Sequence, residues 1–110
     1  MSRLISIAQD FSVYPGGRIP ADGPFSGEEF RNDYLLPIFN SNEHVTIDFD
    51  NVRGYGSSFL EEAFGGLVRS GISPARIREQ IIFKSSKDSI VSEIWRYINN
   101  ADTDRSKCLN

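Results

Sequence analysis

The chain has 110 residues, 39% apolar and 12% aromatic, with 15 acidic against 12 basic residues for a net charge of −3. That length suits one domain with a single core. The acidic balance, with Lys and Arg scattered, argues against nucleic acid as a partner, because such binders carry a basic face or stripe. No run approaches the roughly 18 apolar residues of a membrane span. The opening "MSRLISIAQD" turns polar too soon for a signal peptide, and the lone cysteine, Cys108, rules out an internal disulfide and fits a reducing cytoplasm.

In chain order, residues 3–8 alternate apolar and polar as a strand does. "YPGGR" at 14–18 is turn chemistry, so a return strand through Arg18 and Ile19 would close a hairpin. After the loop "PADGP", Ser26 and Glu29 have the spacing of a capping box and open a helix. Its apolar stripe is Phe30, Tyr34 and Ile38, flanked by Leu35 and Phe39, and Pro37 should loosen its last turn. His44, the only histidine, reads as a turn or strand-edge residue, and with no second imidazole or thiol at ligand spacing no metal site is expected.

"VTIDFD" at 45–50 is a strand with Val45, Ile47 and Phe49 on one face. "GYGSSFLEEAFGG" at 54–66 then leads into a helix with an apolar stripe and a C-terminal cap at Gly71. "SPARI" adds a helical turn, "EQIIFKS" at 79–85 is a strand, and "KDSIVSEIWRYINNA" is a helix. The expected fold is α/β: a small mixed sheet of about four strands, an N-terminal hairpin followed by parallel βα units, packed with three main helices. One domain spans 1–100, and 101–110 is a polar, frayed tail. The expected core includes Ile47, Phe49, Leu60, Phe64, Leu67, Ile82, Ile94 and Trp95.

The serine pair at the strand-to-helix junction carries the functional question. Ser58 and Glu61 have capping-box spacing, which makes Ser58 the helix cap and Ser57 the loop residue before it. Gly54 and Gly56 let the loop bend, and Ser57 sits over the positive end of a helix, a position that favours an added phosphate or a bound anion. A second cluster is Arg18, Asp22, Ser26 and Arg31. Arg18, Ser26 and Arg31 would form an anion pocket with Ser57 if both loops open on the carboxyl edge of the sheet. The ordinary alternative pairs Arg31 with Glu28 along the helix and leaves Arg18 solvated. Gly65 and Gly66 fall inside a helical pattern and are no phosphate loop, which leaves close helix approach to explain them.

Residues 45–68 resemble the core motif of STAS domains, the sulfate-transporter and anti-sigma-factor-antagonist family. The match is closer still to a STAS-like family of bacterial proteins with no established function, whose pattern includes the "GGR", "SGEEFR", "LLP" and "GYGSSFLEEAFGGLV" found at 16–18, 26–31, 35–37 and 54–68. The resemblance covers roughly residues 4–100 and implies that Ser57 is the residue phosphorylated by a partner kinase. Gly56 stands where the better-known antagonists carry an acidic residue.

The resemblance implies a cytoplasmic regulatory protein-interaction module. Its partner would be a histidine-kinase-like (GHKL-type) ATPase or anti-sigma-like kinase, with a homodimer also admissible. No cofactor is implied. A small-ligand or nucleotide sensor using the anion pocket is the alternative. An enzyme is not expected, because the one histidine lies at a turn and leaves no evident general base.

Overall fold

A computed structural model describes residues 2–54 and 56–108, without the side chains of residues 2 and 106–108. Strands β1 (Ser2–Ser6), β2 (His44–Asp48) and β3 (Ile81–Lys84) form one sheet in the order β1-β2-β3, and both pairs are parallel. Helix α1 spans 27–40, α2 spans 57–69, α3 is Pro74–Gln80 and α4 is Asp88–Cys108. Each strand-to-strand connection runs through helix, as parallel neighbours require.

The expected fourth strand and its antiparallel hairpin do not form. The reason lies in two sets of hydrogen bonds. Ser6 Oγ accepts the Gln9 N–H at 3.3 Å while Asp10 Oδ2 accepts the Ser6 N–H at 2.8 Å, so the chain leaves β1 into a wide helical turn, Ile7–Phe11. The intended return strand spends its backbone on α1 instead. The Gly17 carbonyl accepts the Gly27 N–H at 3.0 Å and the Arg18 carbonyl accepts the Glu28 N–H at 2.9 Å. These are donors that a helix start leaves without intrahelical partners. Gly17 has φ +81, a conformation that glycine enters without penalty. Residues 12–26 therefore make a strap over the helix starts.

Helix α1 begins as expected. Glu29 N–H donates to Ser26 Oγ at 3.2 Å and Glu29 Oε1 takes the Ser26 N–H at 3.3 Å. Wide turns interrupt both long inner helices. The Leu36 N–H reaches Arg31 O just ahead of Pro37, and the Gly66 N–H reaches Glu61 O. Helix α2 ends on Gly71 at φ +105, with Ile72 N–H to Leu67 O and Gly71 N–H to Val68 O, a Schellman closure. Glu79 and Gln80 finish α3 and are not part of the third strand. Helix α4 continues to Cys108 through the stretch read as a frayed tail, with Ala101 buried and the Arg105 guanidinium donating to Val68 O at 3.2 Å. The Cys108 side chain lies outside the described residues.

The sheet has one covered face. Ile5, Val45, Ile47 and Ile81 are buried together with Phe49, Phe64, Leu67, Ile94 and Ile98. Leu4, Thr46 and Ile82 share a row on the other face, where Leu4 and Ile82 are exposed. Ile82 is thus 66% exposed, and Ile81 takes the core position expected of it. The reason is the strand's start at Ile81, which fixes the two-residue alternation one step from the sequence reading. Trp95 is half-buried, its ring edge-on to Phe83 at 5.5 Å.

Phe64 is fully buried, and its ring meets those of Phe30, Phe49 and Phe83 at 6.3, 5.8 and 5.4 Å. Phe64→Ala is expected to lower stability by about 3–5 kcal/mol. Urea unfolding reads this directly, and a loss under about 1 kcal/mol would remove Phe64 from the centre of the core.

Candidate functional site

The loops that follow β2 and β3 open on the carboxyl edge of the sheet, where open α/β sheets place ligands. Asp50 joins them: its Oδ1 accepts the Ser86 N–H at 2.8 Å and the Ser86 hydroxyl at 2.9 Å. These bonds hold the Asp50 carboxyl below its usual range. Phe49 N–H donates to Lys84 O at 2.9 Å, and Asn51 turns the chain at φ +68, a conformation asparagine tolerates. The two loops enclose a cavity of about 340 Å³ whose walls include Asp50, Arg53, Gly54, Ser85, Ser86 and Lys87.

Helix α2 starts two residues earlier than the serine spacing suggests. Gly56 is the N-cap, at φ −75 and ψ 140, and its carbonyl accepts the Phe59 N–H at 3.1 Å. Ser57 and Ser58 are the first two helical residues, and no side chain caps this end. The Ser58–Glu61 capping box is therefore absent. Glu61 is turned away by stronger partners: its Oε1 takes Arg18 Nη1 at 2.6 Å and its Oε2 takes Arg69 Nη1 at 2.7 Å. Charged pairs of this length outweigh a neutral N–H at a cap. Ser57 is exposed and Ser58 half-exposed.

The arginines expected beside Ser57 meet these carboxylates. Arg31 Nη1 bonds Glu62 Oε2 at 2.6 Å and Glu62 O at 2.7 Å, with side chains 12% and 18% exposed. Arg18 also reaches Glu62 Oε1 at 3.4 Å. Neither the expected anion pocket nor the alternative Arg31–Glu28 pair forms. Ser26 is fully buried as the cap of α1, and Asp22 Oδ2 accepts the Arg18 and Ile19 N–H groups at 3.0 and 3.3 Å. Three arginines thus surround two glutamates on α2. Burial raises the Glu61 carboxyl, but the Arg69 and Arg18 hydrogen bonds outweigh it and hold it below the usual range. Glu61 in turn raises the Arg18 guanidinium.

This network lies against both helix glycines. A Cβ on Gly66 would collide with Arg31 Nη1, and one on Gly65 would lie 2.5 Å from Glu61 Oε2. At the other end of the crossing a Cβ on Gly27 would lie 2.7 Å from Phe59 O. Close helix approach holds for Gly27, whereas Gly65 and Gly66 make room for charged side chains. The residues missed from the sequence are Asp50, Ser85, Ser86 and Lys87. Their signal was "SSKDS" after the third strand, the same strand-exit position in which the serine pair was noticed.

Alanine in place of glycine inside a helix ordinarily stabilises by about 0.5–1 kcal/mol. For Gly66→Ala the sign is expected to reverse, with a loss of about 1–3 kcal/mol as Arg31 gives up its bonds to Glu62. With Arg31→Ala already in place, Gly66→Ala should stabilise, and a double-mutant cycle measures the difference. Equal effects in both backgrounds would separate Gly66 from Arg31.

The lowered Glu61 carboxyl contributes stability that is present above its unfolded value and lost as the pH falls through its lower folded value. Stability should therefore decline below the ordinary glutamate value of about 4.3. Glu61→Gln should flatten that part of the profile, and an unchanged acid limb would show that the Arg18–Glu61–Arg69 chain contributes nothing.

Comparison with curated proteins and with solved structures returned no match. The family model described as a STAS-like domain of unknown function (DUF4325) matches residues 26–91, from the α1 cap through β2, α2 and β3 into α4, and the chain belongs to that family.

Proposed function

We propose that the protein is a regulatory protein-interaction module of the anti-sigma-factor-antagonist kind, docked and switched at the start of α2. The observation that carries the reading is where its exposed apolar side chains lie. Val13, Tyr14, Ile19 and Phe25 are exposed on the strap. The strap touches the α2 region at several points: Arg53 N–H to Val13 O at 2.8 Å, Arg53 over the Tyr14 ring at 5.8 Å, and Arg18 on Glu61. Apolar groups gathered beside polar ones are a common mark of a protein-binding surface.

Ser57 is exposed at the same helix start. In this reading a histidine-kinase-like (GHKL-type) ATPase of the cytoplasm docks on the strap and transfers its ATP γ-phosphoryl to Ser57 Oγ. The hydroxyl loses its proton and ADP leaves. The chain is then the partner's substrate and ligand and has no catalysis of its own. The site tolerates the product charge of about −1.5 to −2, because it sits at the positive end of α2. The glutamates of that helix's next turn already carry countercharge from Arg18, Arg31 and Arg69. A small-ligand sensor is the second reading, favoured by the 340 Å³ cavity between Asp50, Arg53, Ser86 and Lys87 and not by the Arg18, Ser26 and Arg31 cluster.

Co-purification from native cytoplasm, followed by intact-mass measurement of both chains, identifies the partner and any phosphate. Against that partner, Ser57→Ala should bind like the unmodified protein and resist switching. Ser57→Asp should keep its melting temperature and bind at least about tenfold more weakly, the effect of one repelled or desolvated charge. Equal affinities for all three proteins would discard Ser57 as the switch, and a nucleotide carried through purification would favour the cavity.

A further inference from the structure

Among the described residues strand β1 has a single neighbour, β2, so its outer edge faces no strand. A cleft of about 450 Å³ runs along that edge. Its floor is Arg3, Leu4 and Ile5 of β1, and its wall is formed by Asp10 of the helical turn with Asp33 and Tyr34 of α1. The Tyr34 hydroxyl donates to Asp10 O at 2.7 Å, which ties the two parts of the wall together.

Asp10 and Asp33 are both exposed, and among the described residues neither has an ion-pair partner. Arg3, the one cation in the cleft, pairs with Glu43 at 3.5 Å. On the opposite side of the strand Leu4 is 58% exposed, in the row that continues through Thr46 to Ile82. The edge therefore offers unpaired backbone in the middle, negative charge on the helix side and an apolar row on the open face.

We propose that this edge receives an extended segment of a partner protein as a fourth strand, with Lys or Arg alternating with apolar residues. Side chains of an added strand alternate between faces. Those turned toward α1 meet Asp10 and Asp33, and those turned the other way lie beside Leu4. Main-chain bonds to the edge supply affinity and the alternate side chains supply specificity. A second copy of this chain fits less well, because pairing β1 with β1 brings a matching pair of carboxylates to the same seam, and like charges repel. The surface is separate from the strap and from Ser57.

The test uses two short blocked peptides, one alternating lysine with valine and one alternating glutamate with valine, titrated into the ¹⁵N-labelled 110-residue chain. The lysine peptide is expected to shift the amides of Arg3, Leu4 and Ile5, and the glutamate peptide to leave them in place. Asp33→Lys changes an exposed helix residue and should weaken the lysine peptide about tenfold, the loss of one charge-assisted contact. Asp10→Asn keeps an acceptor for the Ser6 N–H and should also weaken it, while Ser57→Asp should bind it unchanged. Three outcomes overturn the proposal: no β1 amide shifts with the lysine peptide, Asp33→Lys binds it equally well, or the free protein sediments as a dimer whose dissociation shifts the β1 amides.

Discussion

The guanidinium of Arg31 lies across the α2 backbone at Gly66, and the packing of both inner helices depends on that contact. One nitrogen, Nη1, takes both the main-chain oxygen and the carboxylate of Glu62, so the charge of a mostly buried cation is neutralised, although among the described residues its Nε has no hydrogen-bond partner. Only that combination makes burial of such a charge tolerable. Gly27 at the start of α1 provides the close helix approach, against Phe59 O and the Glu62 Cβ. With the backbones close at Gly27 and the Arg31 side chain seated against Gly66, the rings of Phe30, Phe59 and Phe64 meet, at 5.9 Å for Phe30–Phe59 and 6.3 Å for Phe30–Phe64. The aromatic core under the sheet follows from two absent side chains and one long one.

The same contact decides what the start of α2 looks like. Glu61 and Glu62 have a demand on them from Arg18, Arg31 and Arg69, and a carboxylate engaged by arginines does not reach back to cap its own helix. The first turn is left with Gly56 as its N-cap, and both serine hydroxyls stay at the surface. A side-chain cap takes one first-turn N–H group, and here the Phe59 and Leu60 N–H groups go to the Gly56 carbonyl instead, at 3.1 and 3.3 Å. With glycine at the cap position, forgoing a side-chain cap costs only a few tenths of a kcal/mol.

What the sequence revealed was local. The Ser26–Glu29 box, the strand read at 45–50 and found as His44–Asp48, and the Gly71 closure each involve residues within a few positions of one another, where spacing alone fixes geometry. What it hid was non-local competition. Arg31 meets Glu62 at a separation of 31 residues and Arg18 meets Glu61 at 43, and no periodicity reports such pairs. The hairpin reading failed for the same reason: "YPGGR" is good turn chemistry, but the N–H groups of Gly27 and Glu28 claim the carbonyls on which a return strand would depend. At the carboxyl edge only Gly54 of the loop singled out in the sequence lines the cavity, and Asp50 and Ser85 to Lys87 come together there because the exits of β2 and β3 are neighbours.

The strap combines exposed side chains with a fixed backbone. The Arg18 carbonyl holds the Glu28 N–H, its N–H is held by Asp22, and its guanidinium is held by Glu61. Phe25 is kept at φ +64, a conformation that costs a non-glycine residue about 1–2 kcal/mol. It stays there because its carbonyl accepts the Gly16 N–H at 3.1 Å and its ring packs edge-on against Phe11 at 5.4 Å. An exposed aromatic held in a strained backbone is a feature to be explained, and strain of this kind gathers at binding surfaces where surrounding contacts enforce it. The partner proposed above would meet, at Tyr14, Ile19 and Phe25, a surface already ordered by α1 and α2. It therefore avoids most of the entropy cost of freezing a loop, and more of the apolar contact energy becomes affinity.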